Sequence, residues 1–207
     1  MKILTLCIAL ILLFTVAGLA QSKKPVKEMT QTKSEVTDIR RVDFLNFTYQ
    51  SSLCSQDIRG ISKTVKVRKG NFENNEVYYG VVENKIIYGD VTGDGREEAI
   101  VHIGCGELAA NFGLSEIFIY TLQNGRVILL AELDDKDMER DYNRYHSNGT
   151  LWRIVDDGVK VINALLIIER FSEDSHASPE YIVTLNYRLN STRLALSRKP
   201  NRKKLSK

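Results

Sequence analysis

Asn124-Gly125 stands between two apolar runs, residues 116–122 and 126–133, and no other feature limits the fold more tightly. Asn and Gly both accept the positive φ that a two-residue hairpin turn demands. The two runs are therefore expected to pair as antiparallel strands. Short apolar runs closed by turn residues recur along most of the chain. Residues 64–69 alternate apolar and polar, as a half-buried strand does. Residues 77–82 and 85–91 predict two strands broken at Glu83-Asn84. Residues 99–103 are apolar apart from His102, which suits a strand buried on both faces. Residues 151–155, 159–163, 165–171, 181–189 and 194–196 predict further strands, with Asn148-Gly149, Asp157-Gly158 and Asn190-Ser191 as turns. Residues 42–49 hold Phe44, Leu45, Phe47 and Tyr49 and predict a first strand, followed by Cys54 in a polar loop.

Residues 135–145 break this pattern. Met138, Tyr142 and Tyr145 fall at i, i+4 and i+7 among charges, which predicts one helix capped by Asp134 or Asp135. About ten short strands, with turn signals about every 8–12 residues, argue for an all-β, mainly antiparallel meander. The expected form is a sandwich or barrel-like domain with one short helix; the alternative is α+β.

The ends of the chain predict its address. Lys2, the apolar residues 3–14 and Gly18-Leu19-Ala20 have the form of a signal peptide cleaved after Ala20. The apolar run is short of the ~20 residues of a membrane span. Residues 1–20 are thus read as a signal peptide and 21–41 as a flexible polar segment. Residues 42–197 are read as a single β-rich domain and 198–207 as a disordered basic tail. Export leaves Cys54 and Cys105, which most simply form one disulfide; two buried thiols are the alternative.

Charge is spread unevenly. Residues 193–207 carry seven basic side chains and no acidic one, and residues 21–41 carry six against three. With the whole chain at +3 and Lys2 removed, residues 42–192 stand at −8. An acidic body with basic ends argues against a nucleic-acid partner, whose contact needs positive charge over a folded face. The basic tail allows at most a weak contact with an anionic surface.

One stretch carries chemistry. In residues 90–98, DVTGDGREE, oxygen-bearing groups recur at alternate positions: Asp90, Thr92, Asp94, the Arg96 carbonyl and then Glu98. Calcium takes 6–8 hard oxygens, and a tight loop delivers them at this spacing. Gly93 and Gly95 let the turn close. Asp90, Asp94 and Glu98 bring three negative charges together, which is costly unless a cation joins them. An EF-hand would need Asp or Asn where Thr92 stands and Glu where Val101 stands.

The stretch resembles the calcium loop of FG-GAP and VCBS-type repeats, as in integrin-α propellers, over about a tenth of the chain. It is also similar to loops carried singly by exported bacterial proteins. That resemblance implies ligand roles for Asp90, Thr92, Asp94, the Arg96 carbonyl and Glu98, with Thr92 a weaker, neutral ligand. The alternative is a metal-free Asp-Gly turn in which Asp90 and Asp94 cap backbone N–H groups. A complete propeller is not expected, because the loop does not repeat.

Catalytic signals are weak. His102, His146 and His176 show no spacing of ligands or of a triad, and His102 is expected to be a satisfied core residue. The sequence therefore predicts an exported, non-enzymatic β-domain with one calcium-like loop, a binding or structural module whose partner is an envelope component or another protein. The competing expectation is an exported hydrolase whose carboxylates meet in a cleft with His102 and His176.

Overall fold

The computed structural model describes residues 37–110, 112–147, 149–173 and 178–205. The signal peptide, the polar segment up to residue 36, Asn148 and His176 lie outside them. Two five-stranded antiparallel sheets and a small N-terminal layer make up the fold. The central sheet is a meander of β3 (Asn71–Glu73), β4 (Val77–Gly89), β5 (Glu98–Glu107), β6 (Leu114–Gln123) and β7 (Arg126–Asp134). The second sheet holds β8 (Thr150–Ile162), β9 (Leu165–Glu173) and β10 (Tyr181–Asn190). The far side of β10 pairs with both β11 (Arg193–Leu196) and β12 (Asn201–Lys204). The fold is thus β-rich and antiparallel, as its alternating runs predict.

Alternation along β5 and β6 explains the layering. Val101, Ile103, Phe118 and Tyr120 join one buried cluster, while Ile100, Ile117 and Ile119 join the other. Successive strand residues point to opposite faces, so the central sheet has a core on each side. The first core is closed by the N-terminal layer: β1 (Thr48–Gln50), β2 (Thr64–Lys66) and α1 (Leu53–Asp57). Phe44, Phe47, Tyr49, Phe118 and Tyr120 pack there with ring centroids 5.2–6.3 Å apart. The second core lies between the central and second sheets.

Three local expectations change. Residues 42–49 do not form one strand: Phe44–Asn46 is a 3-10 turn capped by Asp43, and only Thr48–Gln50 is extended. Cys54 lies in α1, not in a loop, and its disulfide to Cys105 joins that helix to β5. The two strands expected around Glu83-Asn84 are one strand, β4. Both residues adopt positive φ, 55° and 52°, and the register slips between Val81 and Ile86 without ending the pairing.

Order also extends beyond the expected ends. Ile39 is buried within a 3-10 turn, Ile39–Arg41, so residues just before Val42 belong to the core. The basic tail is an edge strand: residues 201–204 pair with Thr184 to Tyr181, and the Arg202 guanidinium lies 3.8 Å from the Tyr181 ring centroid. Basic side chains suit an edge, where like charge discourages pairing with a second chain.

Two expectations are met closely. β6 and β7 turn at Asn124-Gly125, with φ of 51° and 71°. The helix α2 (Asp135–Asn143) starts at Asp134, whose carboxylate accepts a hydrogen bond from the Asp137 N–H at 2.7 Å.

Candidate functional site

The acidic stretch connects β4 to β5 at the pair Gly89 and Glu98. Its shape follows from Asp90. One oxygen of Asp90 accepts from the backbone N–H of Gly93 at 2.5 Å and Asp94 at 3.2 Å, and from the Thr92 hydroxyl at 3.2 Å. The other accepts from Gly95 N–H at 2.8 Å. These donors, Gly95 foremost, hold the Asp90 carboxyl below its ordinary value. Gly93 and Gly95 have φ of 79° and 85°, which glycine adopts without strain.

Asp94 faces solvent and is paired with Arg96. Its oxygens accept from the Arg96 guanidinium at 2.5 and 3.1 Å and from the Arg96 N–H at 2.9 Å. This partner lowers the Asp94 carboxyl to about 2. Glu98 is fully buried beneath the loop. It accepts from the N–H groups of Val91 and Thr92 at 2.9 and 3.2 Å, and from the Thr121 hydroxyl at 3.4 Å. Burial raises its pKa despite those donors.

Each carboxylate is therefore satisfied by separate donors. Among the described residues, no three His, Cys, Asp or Glu side chains converge as a metal would require. The oxygen set suits a hard cation; Thr92 and Asp94 are exposed and Asp90 is half-buried. A cation there would have to displace the Arg96 guanidinium from Asp94 and draw Glu98 from its backbone donors. The site residues expected from sequence are thus neighbours, but they are arranged around N–H groups.

The loop meets all three layers. Val91 is buried in the core between the two sheets. A Cβ on Gly93 would lie 3.4 Å from that of Ala164, in the turn between β8 and β9. From the N-terminal layer, Arg40 donates to both oxygens of Glu97, at 2.6 and 2.8 Å, and stacks 4.6 Å over the Tyr88 ring. That contact joins residues 57 apart and has no signature in sequence.

Two buried polar groups also escape sequence reasoning. Glu116 is fully buried and accepts from the Ser52 and Cys54 N–H groups at 2.9 and 3.0 Å, the Ser51 hydroxyl at 3.1 Å and the Tyr79 hydroxyl at 3.3 Å. It thereby satisfies free donors at the start of α1. Arg170 is buried and joins Asp135 at 2.5 Å and the Trp152 carbonyl at 2.6 Å, which ties β9 to α2 and β8.

The histidines separate. His102 lies in a gap between the two sheets, with Nε2 3.3 Å from the Ser115 hydroxyl. Burial lowers its pKa to about 4, so the ring is neutral at physiological pH. His146 stacks on Tyr142 at 4.8 Å, beyond the end of α2.

The chain matches no family model, no curated protein and no solved structure.

Proposed function

We propose that this chain is an exported, non-enzymatic β-domain, an envelope or extracellular binding or structural module, in which residues 90–98 form a calcium-dependent clasp. The supporting observation is position. The loop touches the N-terminal layer through Arg40–Glu97, the central sheet through Glu98 and the second sheet through Val91 and Gly93. A cation held there would fasten the junction of all three layers. Asp90, Thr92, Asp94, the Arg96 carbonyl and Glu98 supply the oxygens, and Arg96 competes for the first coordination sphere through Asp94.

The test is the melting temperature of the mature protein, starting at Gln21, in chelator and in millimolar calcium. Extracellular modules bind calcium at ~10⁻⁴–10⁻³ M. A hundredfold excess over Kd adds about 2.7 kcal/mol when only the folded state binds. Asp94→Ala should remove the effect and Arg96→Ala should enlarge it, because the competing charge is gone. Asp157→Ala, outside the loop, should leave it unchanged. Identical melting of wild type in chelator and calcium, with no heat of binding, would dismiss the clasp.

An exported hydrolase is the second reading, favoured by the His102–Ser115 contact in a cleft also lined by Glu83, Asp156 and Asp157. It lacks a carboxylate to orient the His102 ring among the described residues, and Ser115 lies within a paired strand instead of an exposed turn.

A further inference from the structure

We propose that the gap between the central and second sheets binds a small, uncharged amphipathic molecule: an aromatic or aliphatic body bearing one hydroxyl or carbonyl. The gap has a volume of about 310 Å³. Tyr78, Val82, Ile87, Ile154 and Val159 supply its apolar wall, and His102 with Ser115 supplies a polar pair. That volume suits a small molecule and lies at the lower end of ordinary ligand pockets.

The gap is built by three departures from regular sheet. β5 places Gly104 two residues after His102, on the same face, so this position contributes no side chain to the gap. A Cβ on Gly104 would lie 3.3 Å from Val82 Cγ2. β4 slips register between Val81 and Ile86, and β8 slips between Ile154 and Val159. Glu83, Asn84 and Asp157 take positive φ at those slips. Gly158 is required in β8, because a Cβ would sit 2.6 and 2.7 Å from the carbonyl oxygens of Val155 and Glu169. Bulges of this kind gather beside binding sites, where they redirect side chains. The two slips face each other, and Lys85 of β4 pairs with Asp157 of β8 across the opening.

The charges define the occupant. All five charged side chains of the lining, Glu83, Lys85, Arg153, Asp156 and Asp157, are exposed at the rim, and four of them are matched as Lys85–Asp157 and Arg153–Asp156. His102 is neutral, and an ionic ligand beside it would lose water without gaining a counter-ion. A neutral imidazole and a hydroxyl instead suit one donor or acceptor on the ligand. This site is independent of the acidic loop.

The test titrates isotopically labelled mature protein with 1-naphthol, in chelator so that the calcium proposal is not involved. Saturable amide shifts should centre on residues 82, 102, 104, 115, 154 and 159. The charged analogue 1-naphthoate should bind at least about tenfold more weakly. Gly104→Leu, which fills the gap, should weaken 1-naphthol at least about tenfold. Ser115→Ala removes one oxygen without altering packing volume greatly and should weaken it several-fold, so the test stands even if Gly104→Leu does not fold. Absence of saturable shifts, shifts centred elsewhere, equal binding of 1-naphthoate or indifference to Ser115→Ala would each overturn the proposal.

Discussion

Asp94 shows how one side chain reports on the state of the acidic loop. Its carboxyl sits at about 2 because Arg96 and a backbone N–H favour the charged form. The unfolded carboxyl titrates near 3.9. A lowered folded value means that the contribution is complete above the unfolded value and disappears as pH falls through about 2. Both side chains are substantially exposed, so salt should weaken the pairing. A carboxyl-detected NMR titration should place the Asp94 midpoint at about 2 in the wild type and move it upward in Arg96→Ala. An ordinary midpoint in the wild type would show that the guanidinium does not hold this carboxylate in solution. Glu98 behaves oppositely: burial raises its pKa, so its contribution is complete below the unfolded value and declines as pH rises through the folded one.

α1 is a five-residue helix that cannot be stable alone, because a first turn fixes several residues for few bonds. Its stability comes from Glu116 beneath its first turn and from the bridge at Cys54. Glu116→Ala should cost at least about 2 kcal/mol in urea unfolding, since it strands buried N–H groups. Glu116→Gln keeps an acceptor and should cost less. Equal stability of Glu116→Ala and wild type would mean that water replaces the carboxylate.

Such contacts explain what can be read from the chain. Strand periodicity is local, so β6, β7 and the Asn124-Gly125 turn are legible, as are α2 and its Asp134 cap. Phe44 and Leu45 have strand-like composition, yet they lie in a 3-10 turn within the packed N-terminal layer. The bulge at Glu83-Asn84 looks like a break, because only pairing to β5 reveals that the strand continues. In the acidic loop the backbone N–H donors to Asp90 and Asp94 are those of the metal-free turn expected as the alternative; the side-chain partners are not legible, because Arg40 is distant and the choice between Arg96 and a cation depends on side-chain position.

At the scale of the molecule, the Cys54–Cys105 bridge closes a segment with a sequence separation of 51 residues and attaches the N-terminal layer to the central sheet. In the chain-entropy model it contributes about 4 kcal/mol. The double variant Cys54→Ser, Cys105→Ser should therefore unfold at clearly lower denaturant than the oxidised wild type, and the wild type in reductant should match it. Coincident midpoints for the oxidised protein and the double variant would remove the bridge from the stability of the fold. The second sheet depends on residues that follow β10. Among the described residues, the β10 edge away from β9 is covered by β11 and β12. Until residues 201–204 emerge, β10 presents unsatisfied N–H and C=O groups to any neighbour. A chain cut between β11 and β12 would therefore be prone to self-association, with aggregation preceding any loss of secondary structure in β8, β9 and β10.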